Sequence, residues 1–297
     1  MSNEKIYNKV TEQILGLIDK QAILPWQKSW SFAGGNVPMN YVSKKPYRGF
    51  NAMITAFSGF NSPYWMTANQ IKKAGGSWSG KGTIVTFWKF IEKRDKKTKE
   101  LTGDKIPLLK HYYVWNAEQI EGIDFKYADV KPLNEHETIE AAEKLFASYK
   151  DAPQINHIEQ NRAYYTPMLD TVTMPLKGQF ESIEKYYSTF AHELIHSTGH
   201  RTRLNRKEIT SPSFMVEHSY AKEELVAEMG AAFICGILGI EKHIIDNSAA
   251  YLKGWRNRIA ADNTLIMKAA GQAQKAADMV QGIVNQYEKK IEVKLAA

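Results

Sequence analysis

Three of the chain's eight histidines fall within nine residues of the stretch TFAHELIHSTGHRTRLNR, Thr189 to Arg206, and two of them frame a glutamate as His192-Glu193-x-x-His196. That spacing constrains the local fold. Residues four apart share one face of an α-helix, about 6 Å from each other, so a site built on both imidazoles requires a helix here. From such a face two imidazoles reach one Zn²⁺ at about 2.0–2.1 Å. Glu193 then stands beside the first ligand, where its carboxylate can take a proton from a water acidified by the metal. By chance the pattern would arise on the order of once in a hundred such chains. Its context favours a metal site over a solvated helix end: SIEKYYSTFA before it is helical, Gly199 can stop the helix, and an acidic helical pattern follows.

A zinc hydrolase usually offers three protein ligands and one open position. Downstream candidates are His200, Glu217, His218, Glu223, Glu224 and Glu228. An extended H-E-x-x-H-x-x-G-x-x-H pattern would need histidine at position 202, where Thr202 stands, and is excluded. In YAKEELVAEMGAAF (220–233), Glu224 and Glu228 are four apart with Ala227, Ala231 and Ala232 beside them. These small residues let one helix approach the histidine helix closely. The layout predicts Glu224 as third metal ligand and Glu228 as the acid that orients a ligating histidine, in the gluzincin manner. Glu223 is the rival ligand. Zn²⁺ is the expected ion, with Mn²⁺ or another divalent metal as the alternative. The segment AYYTPMLDTVTMP (163–175) reads as strand, tight turn and strand, an edge to which an extended peptide could add.

Charge divides the chain. Residues 1–116 hold 18 Lys and Arg against 7 Asp and Glu, net +11, whereas the remainder holds 21 against 25, net −4. Six of the seven tryptophans lie in the basic portion. This asymmetry predicts two domains with different partners, the first facing a polyanion. The boundaries expected are 1–120, a linker at 121–135 that includes Pro132, and 136–297. The class is α+β. Helices are expected over 3–24, 51–60, 67–74, 136–149, 181–198 and 219–239, with a long helix or helix pair over 247–288. GTIVTFWKFIEK (82–93) and LLKHYYVWN (108–116) read as strands, and the charged 94–105 between them as a hairpin tip or loop. No run of eighteen apolar residues is present and the start is too polar for a secretory signal, so the expectation is a cytoplasmic protein with no membrane partner. Cys235, the only cysteine, fits a reducing compartment and excludes thiolate clusters.

The basic portion interleaves aromatics with cations in LPWQKSWSF, MNYVSKKPYRGFN and SPYWMTANQIKKAGGSWSGKG. Aromatic faces stack on unpaired bases and lysines neutralise phosphates. The expected nucleic-acid contacts are Trp26, Trp30, Trp65 and Trp78 for stacking, with Lys44, Lys45, Arg48, Lys72, Lys73 and Lys81 for phosphate. Half or more of the tryptophans are expected to serve as core. The aromatic load favours single strands over duplex.

These residues together resemble ArdC-type antirestriction proteins. VTEQILGLID, PWQKSW, PMNYVSKKPYRGFNAM and SPYWMTANQIKKAGG look like their N-terminal single-stranded-DNA-binding domain. AYYTPMLDTVTMP, YYSTFAHELIHSTGHRTRLNR and YAKEELVAEMGAAFICGILGI look like their C-terminal zincin-like metallopeptidase domain, in the same order along nearly the whole chain. The resemblance implies a plasmid-borne protein that protects incoming conjugative DNA, a single strand, from host restriction. It supports the zincin roles of His192, Glu193 and His196 and the EELVAE segment as source of the third ligand, and leaves the peptidase substrate, a host restriction component among the options, unnamed. Two further readings compete. One is a DNA-masking protein with a structural or vestigial metal site. The other is a metal-dependent nuclease, for which a His-Glu-His helix is a poor match to the usual carboxylate-rich centres.

Overall fold

The structure, a computed structural model, describes residues 2–27, 37–95, 98, 100–126, 135–211, 217–240 and 248–283. They form two compact units. The first comprises residues 1–25, 38–127 and 247–267, the second 26–37, 128–246 and 268–297.

The first unit opens with helix α1, Asn3–Gln21, whose N-cap Ser2 accepts from the backbone of Lys5. Its buried stripe of Ile6, Val10, Ile14 and Ile18 follows the helical period, as the sequence predicts. The helix stops at Ala22 in a left-handed conformation, before Pro25 is reached. A four-stranded sheet runs in the order β1 (Met39–Asn40), β2 (Tyr64–Thr67), β5 (Leu101–Asn116), β4 (Thr83–Arg94). Between β1 and β2 lies α2 (Phe50–Phe57), nearly all buried. Asn51 of α2 donates to Thr86 O and accepts from Thr86 N, both at 2.8 Å, and so satisfies the open edge of β4 with a side chain. Helix α3 (Ala68–Lys73) starts from a capping box in which Thr67 and Gln70 serve each other's backbone. A small ribbon of β3 (Ser77–Trp78) with β6 (Ile120–Glu121) closes this unit's second core around Met66 and Ile71.

Two features differ from the sequence expectation. The charged segment 101–105 belongs to β5, paired with β4 out to Arg94↔Leu101, so the hairpin is a long ribbon rather than two short strands and a wide loop. Helix α8, Ala249–Ala261, falls in the first unit although a linear division assigns it to the second domain. It packs on α1, where Arg256 donates to both carboxylate oxygens of Asp19 at 2.6 and 2.9 Å. Most of the expected linker lies outside the described residues.

In the second unit α4, Glu135–Ala147, precedes a three-stranded sheet of order β7 (Gln154–Ile158), β9 (Thr171–Pro175), β8 (Tyr164–Thr166). β9 is fully buried and central, parallel to β7 and antiparallel to β8. Two long helices then cross: α5, Ile183–Ser197, and α7, Glu217–Leu238. The short α6, Lys207–Thr210, lies between them in sequence. Helix α9, Leu265–Val280, belongs to the second unit from Lys268 onward and buries Ala269, Ala270, Ala273, Ala276 and Ala277. No helix among the described residues is long and apolar enough to cross a membrane.

Small residues set the α5–α7 approach, as Ala227 and Ala231 suggest, and Gly230 is the tightest point. A Cβ built on Gly230 would lie 2.8 Å from both Cγ atoms of Ile195, and Ile195 is fully buried. Gly230→Ala should gain about 1 kcal/mol of helix propensity but lose about 1–3 kcal/mol to overpacking. The expected result is a lower melting temperature, read by circular dichroism. A variant more stable than the parent would show that the helices can part freely.

Candidate metal centre

Helix α5 carries the histidine pair because Ser182 caps its start, accepting from Lys185 N, and because its C-terminus is held by two arginines. Arg203 donates through Nε to Ser197 O at 2.8 Å and through Nη1 to Asp151 O at 2.9 Å, and it forms a bidentate pair with Asp170. Asp170 sits in a left-handed turn between β8 and β9 and also accepts from Tyr165 Oη at 2.8 Å. The β-turn is thereby tied to the end of the histidine helix.

Arg206 does the second part. It is buried and wraps back under the helix end, donating to Thr198 Oγ1 at 2.7 Å, to Ile195 O at 2.8 Å, and through Nε and Nη2 to Glu223. Gly199 allows this passage: a Cβ there would meet Arg206 Nη2 at 2.9 Å and Ile209 Cδ1 at 2.7 Å. The glycine expected as a helix stop thus also makes room for a guanidinium.

His192 and His196 project together, their Nε2 atoms 3.1 Å apart. Glu224 on α7 faces both, with carboxylate oxygens 3.6 Å from His192 Nε2 and 3.3 Å from His196 Nε2. These three donors lie within 4.8 Å of one another and are the one such group among the described residues. A tetrahedral ion with bonds of about 2.0–2.1 Å has ligand-to-ligand edges of about 3.3–3.4 Å, so the residues fit a divalent metal. Glu193, the next residue on α5, is buried at 7% exposure.

The two neighbouring glutamates have separate surroundings. Glu223, fully buried, turns to Arg206 and to His196 Nδ1 at 3.2 Å, the ring nitrogen opposite the one facing Glu224. The acid seen to meet the far side of a histidine is therefore Glu223. Glu228, expected in that role, is buried at 5% exposure on α7. His200 lies outside the trio, its Nδ1 2.8 Å from Thr202 Oγ1. The side chains of Glu217 and His218 lie outside the described residues.

Electrostatics follow from burial and these contacts. Burial disfavours the charged form of His196, but its bonds to Glu223 and Glu224 outweigh this and raise its pKa to about 10. Burial opposes ionisation of Glu224 and Glu223 too. The histidines hold the Glu224 carboxyl well below its ordinary range, and Arg206 and His196 hold Glu223 below its own. Tyr220, one turn before Glu224, has its phenol pushed up to about 12, first by burial and then by the Glu224 and Glu193 charges. It is a neutral donor at the rim of the site. Sequence reasoning missed it because its neighbours come from two helices.

The expected nucleic-acid residues separate cleanly. Trp26 and Trp65 are fully buried and cannot stack on bases, a correction whose cause is the large apolar area that indole buries in a core. Trp30 lies outside the described residues. Trp78 is half-buried against Trp115, ring centroids 5.0 Å apart. Lys44, Lys45, Arg48, Lys72, Lys73 and Lys81 are exposed. Lys44 adopts a left-handed backbone, φ 55°, and places Nζ 3.7 Å from the Tyr41 ring centroid. Among the described residues of the first unit, the exposed aromatics are on the β4–β5 ribbon: Phe87, Trp88, Phe90, Tyr112 and Tyr113.

Comparison with known proteins agrees with this geometry. Residues 4–115 match the family of the N-terminal domain of anti-restriction factor ArdC, and residues 140–272 match a zincin-like metallopeptidase family. Two Escherichia coli proteins named DNA primase TraC are 34% and 33% identical over 94% of this chain, which spans 27% and 20% of their lengths. Protein y4eC of Sinorhizobium fredii is 30% identical over 92% of this chain and 90% of its own. The crystal structure of the antirestriction protein ArdC from plasmid R388 superposes with a TM-score of 0.73 in its metal-free form. It is 36% identical, covering 93% of this chain and 96% of that one. Its Mn(II)-bound form gives the same score at 34% identity over 94% and 98%. A metal-binding relative and a zincin-like domain together indicate a divalent metal here. With an ArdC N-terminal domain joined to a zincin-like domain along its whole matched length, this chain belongs to the ArdC family of antirestriction proteins.

Proposed function

We propose that the protein protects entering DNA by docking on its single strand through the first unit and hydrolysing a bound host protein with the second. The observation that carries the proteolytic part is the convergence of His192, His196 and Glu224 beside the buried Glu193. A purely structural metal would need neither an open position nor an adjacent base. When bound, a Zn²⁺ or Mn²⁺ ion supplies Lewis acidity and lowers the pKa of water.

The chain's own residues supply the rest. Glu193 takes the proton from the attacking water and delivers it to the leaving amine. Glu223 accepts from His196 Nδ1 and so directs Nε2 towards the site. The phenol of Tyr220, neutral at physiological pH, donates to the carbonyl oxygen as charge develops there. β8 stands at the edge of its sheet and accepts an extended substrate by strand addition.

The test is plasmid transfer into a restricting and a non-restricting recipient, comparing parent with Glu193→Gln at matched protein levels. Loss of protection in the restricting recipient alone is expected. A variant that protects like the parent would remove proteolysis from this function and leave DNA masking as the explanation.

A further inference from the structure

Among the described residues, the β4–β5 ribbon leaves large apolar side chains exposed. Phe87 is 45% exposed, Ile91 39% and Tyr112 37%. Ribbon register sorts them by face. Phe87 stands opposite Lys110, Lys89 opposite Leu108, Ile91 opposite Ile106, and Val85 opposite Tyr112. Side chains paired across the ladder share a face, so Phe87, Lys89, Ile91, Ile106, Lys110 and Tyr112 line one surface. The rings of Phe87 and Tyr112 meet diagonally at 5.8 Å between centroids. Between Val85 and Ile91 this face carries two lysines and no acid, whereas Glu92 opposite Lys105 belongs to the other face.

We propose that this face of the ribbon is the platform on which a single nucleic-acid strand lies, bases on Phe87 and Tyr112 and phosphates on Lys89 and Lys110. The inference rests on the single-strand reading of the first unit and assigns its surface. Three arguments select this occupant. Exposed rings flanked by cations match what unpaired bases and phosphates require, and the portion 1–116 carries net +11. In a duplex the base faces are already stacked, so rings standing proud of a ribbon have nothing to cover. A second copy of the same face would bring lysines onto lysines. Two of the indoles expected to stack, Trp26 and Trp65, are fully buried.

The experiment is fluorescence anisotropy of labelled oligothymidylate on the full chain over a salt series. Phe87→Ala and Tyr112→Ala should each weaken binding about tenfold. Lys89→Glu with Lys110→Glu should weaken it and lower the salt slope by about 0.7 per lysine. Phe87, Lys89 and Tyr112 are exposed and Lys110 is half-buried, and unchanged circular dichroism and metal uptake confirm the fold. Phe90→Ser, on the opposite face, is the control, expected to bind as the parent does. Parent-like binding by the ring and lysine variants overturns the assignment while the single-strand reading stands. Equal loss in Phe90→Ser overturns the choice of face. Variants that lose only a concentration-dependent dimer show the face to be a self-interface and overturn the proposal. A parent that binds duplex but no single strand overturns both proposal and underlying reading.

Discussion

Glu223→Ala is expected to lose about 3–5 kcal/mol of folding stability, the range for breaking a buried ion pair by deleting one member. The cause is the group left behind. Arg206 keeps its charge, is 4% exposed at the side chain, and loses the carboxylate bonded to Nε and Nη2, with Nη2 keeping the carbonyls of Ile195 and His196. Two features make the pair more than a local contact: it joins the loop after α5 to α7, and through His196 Nδ1 it sets the orientation of a candidate metal ligand. Glu223→Gln should therefore weaken metal binding by about 10–100-fold even if it folds. The double replacement Arg206→Met with Glu223→Leu should recover most of the stability but not the metal affinity, because the apolar pair removes both charges together. Urea denaturation and calorimetric metal titration read the two effects separately. The sign with pH is fixed as well. Glu223 has a lowered pKa, so its contribution is present above about 4.5 and is lost as acid protonates it in the folded state. A loss below about 1 kcal/mol for Glu223→Ala would show that Arg206 finds water or another acceptor.

What could be read from the sequence was what local pattern encodes. The stripe of α1 and the β-branched and aromatic run TIVTFW need only neighbours in sequence, and so does the spacing of His192 and His196. The helix layout favours Glu224 as ligand over its rival Glu223, adjacent residues on a helix differing by a rotation of about 100°. Which one faces the histidines depends on Arg206, seventeen residues upstream of Glu223. Strand β7 was missed for a similar reason. Gln154–Ile158 is short and half-exposed, and its status comes from parallel pairing with β9. Residues 101–105 read as loop because they are charged and glycine-containing, yet a ribbon exposed on both faces selects for a hydrogen-bond ladder rather than for apolar alternation. The pairing of Arg256 with Asp19 joins α8 to α1 in the first unit. Contacts 237 residues apart leave no trace in local composition.

Metal uptake at pH 7.5 is expected to release about one proton per ion. In the metal-free protein His196 shares its proton with Glu223 and Glu224, and its pKa of about 10 keeps it charged at that pH. A ligand must give up that proton to bind a cation. An imidazole of ordinary pKa, about 6.5, would be only about a tenth protonated at pH 7.5 and would release correspondingly little. Titrating Zn²⁺ or Mn²⁺ in buffers of different ionisation enthalpy separates the two cases. Affinity should rise with pH by up to about tenfold per unit until the pH nears 10. The metal-free protein should show the opposite linkage: the stability owed to the raised His196 pKa is complete below about 6.5 and is lost as pH rises through about 10. Glu224→Gln tests the other side of the arrangement. It replaces a charged ligand by a neutral amide and removes one of the two negative charges that hold the proton, so affinity should fall by about a hundredfold while proton release also falls. Those two changes together would identify Glu224 as both ligand and proton clamp. Unchanged affinity with reduced proton release would show Glu224 to be an electrostatic neighbour only, and would transfer the third ligand position to another group.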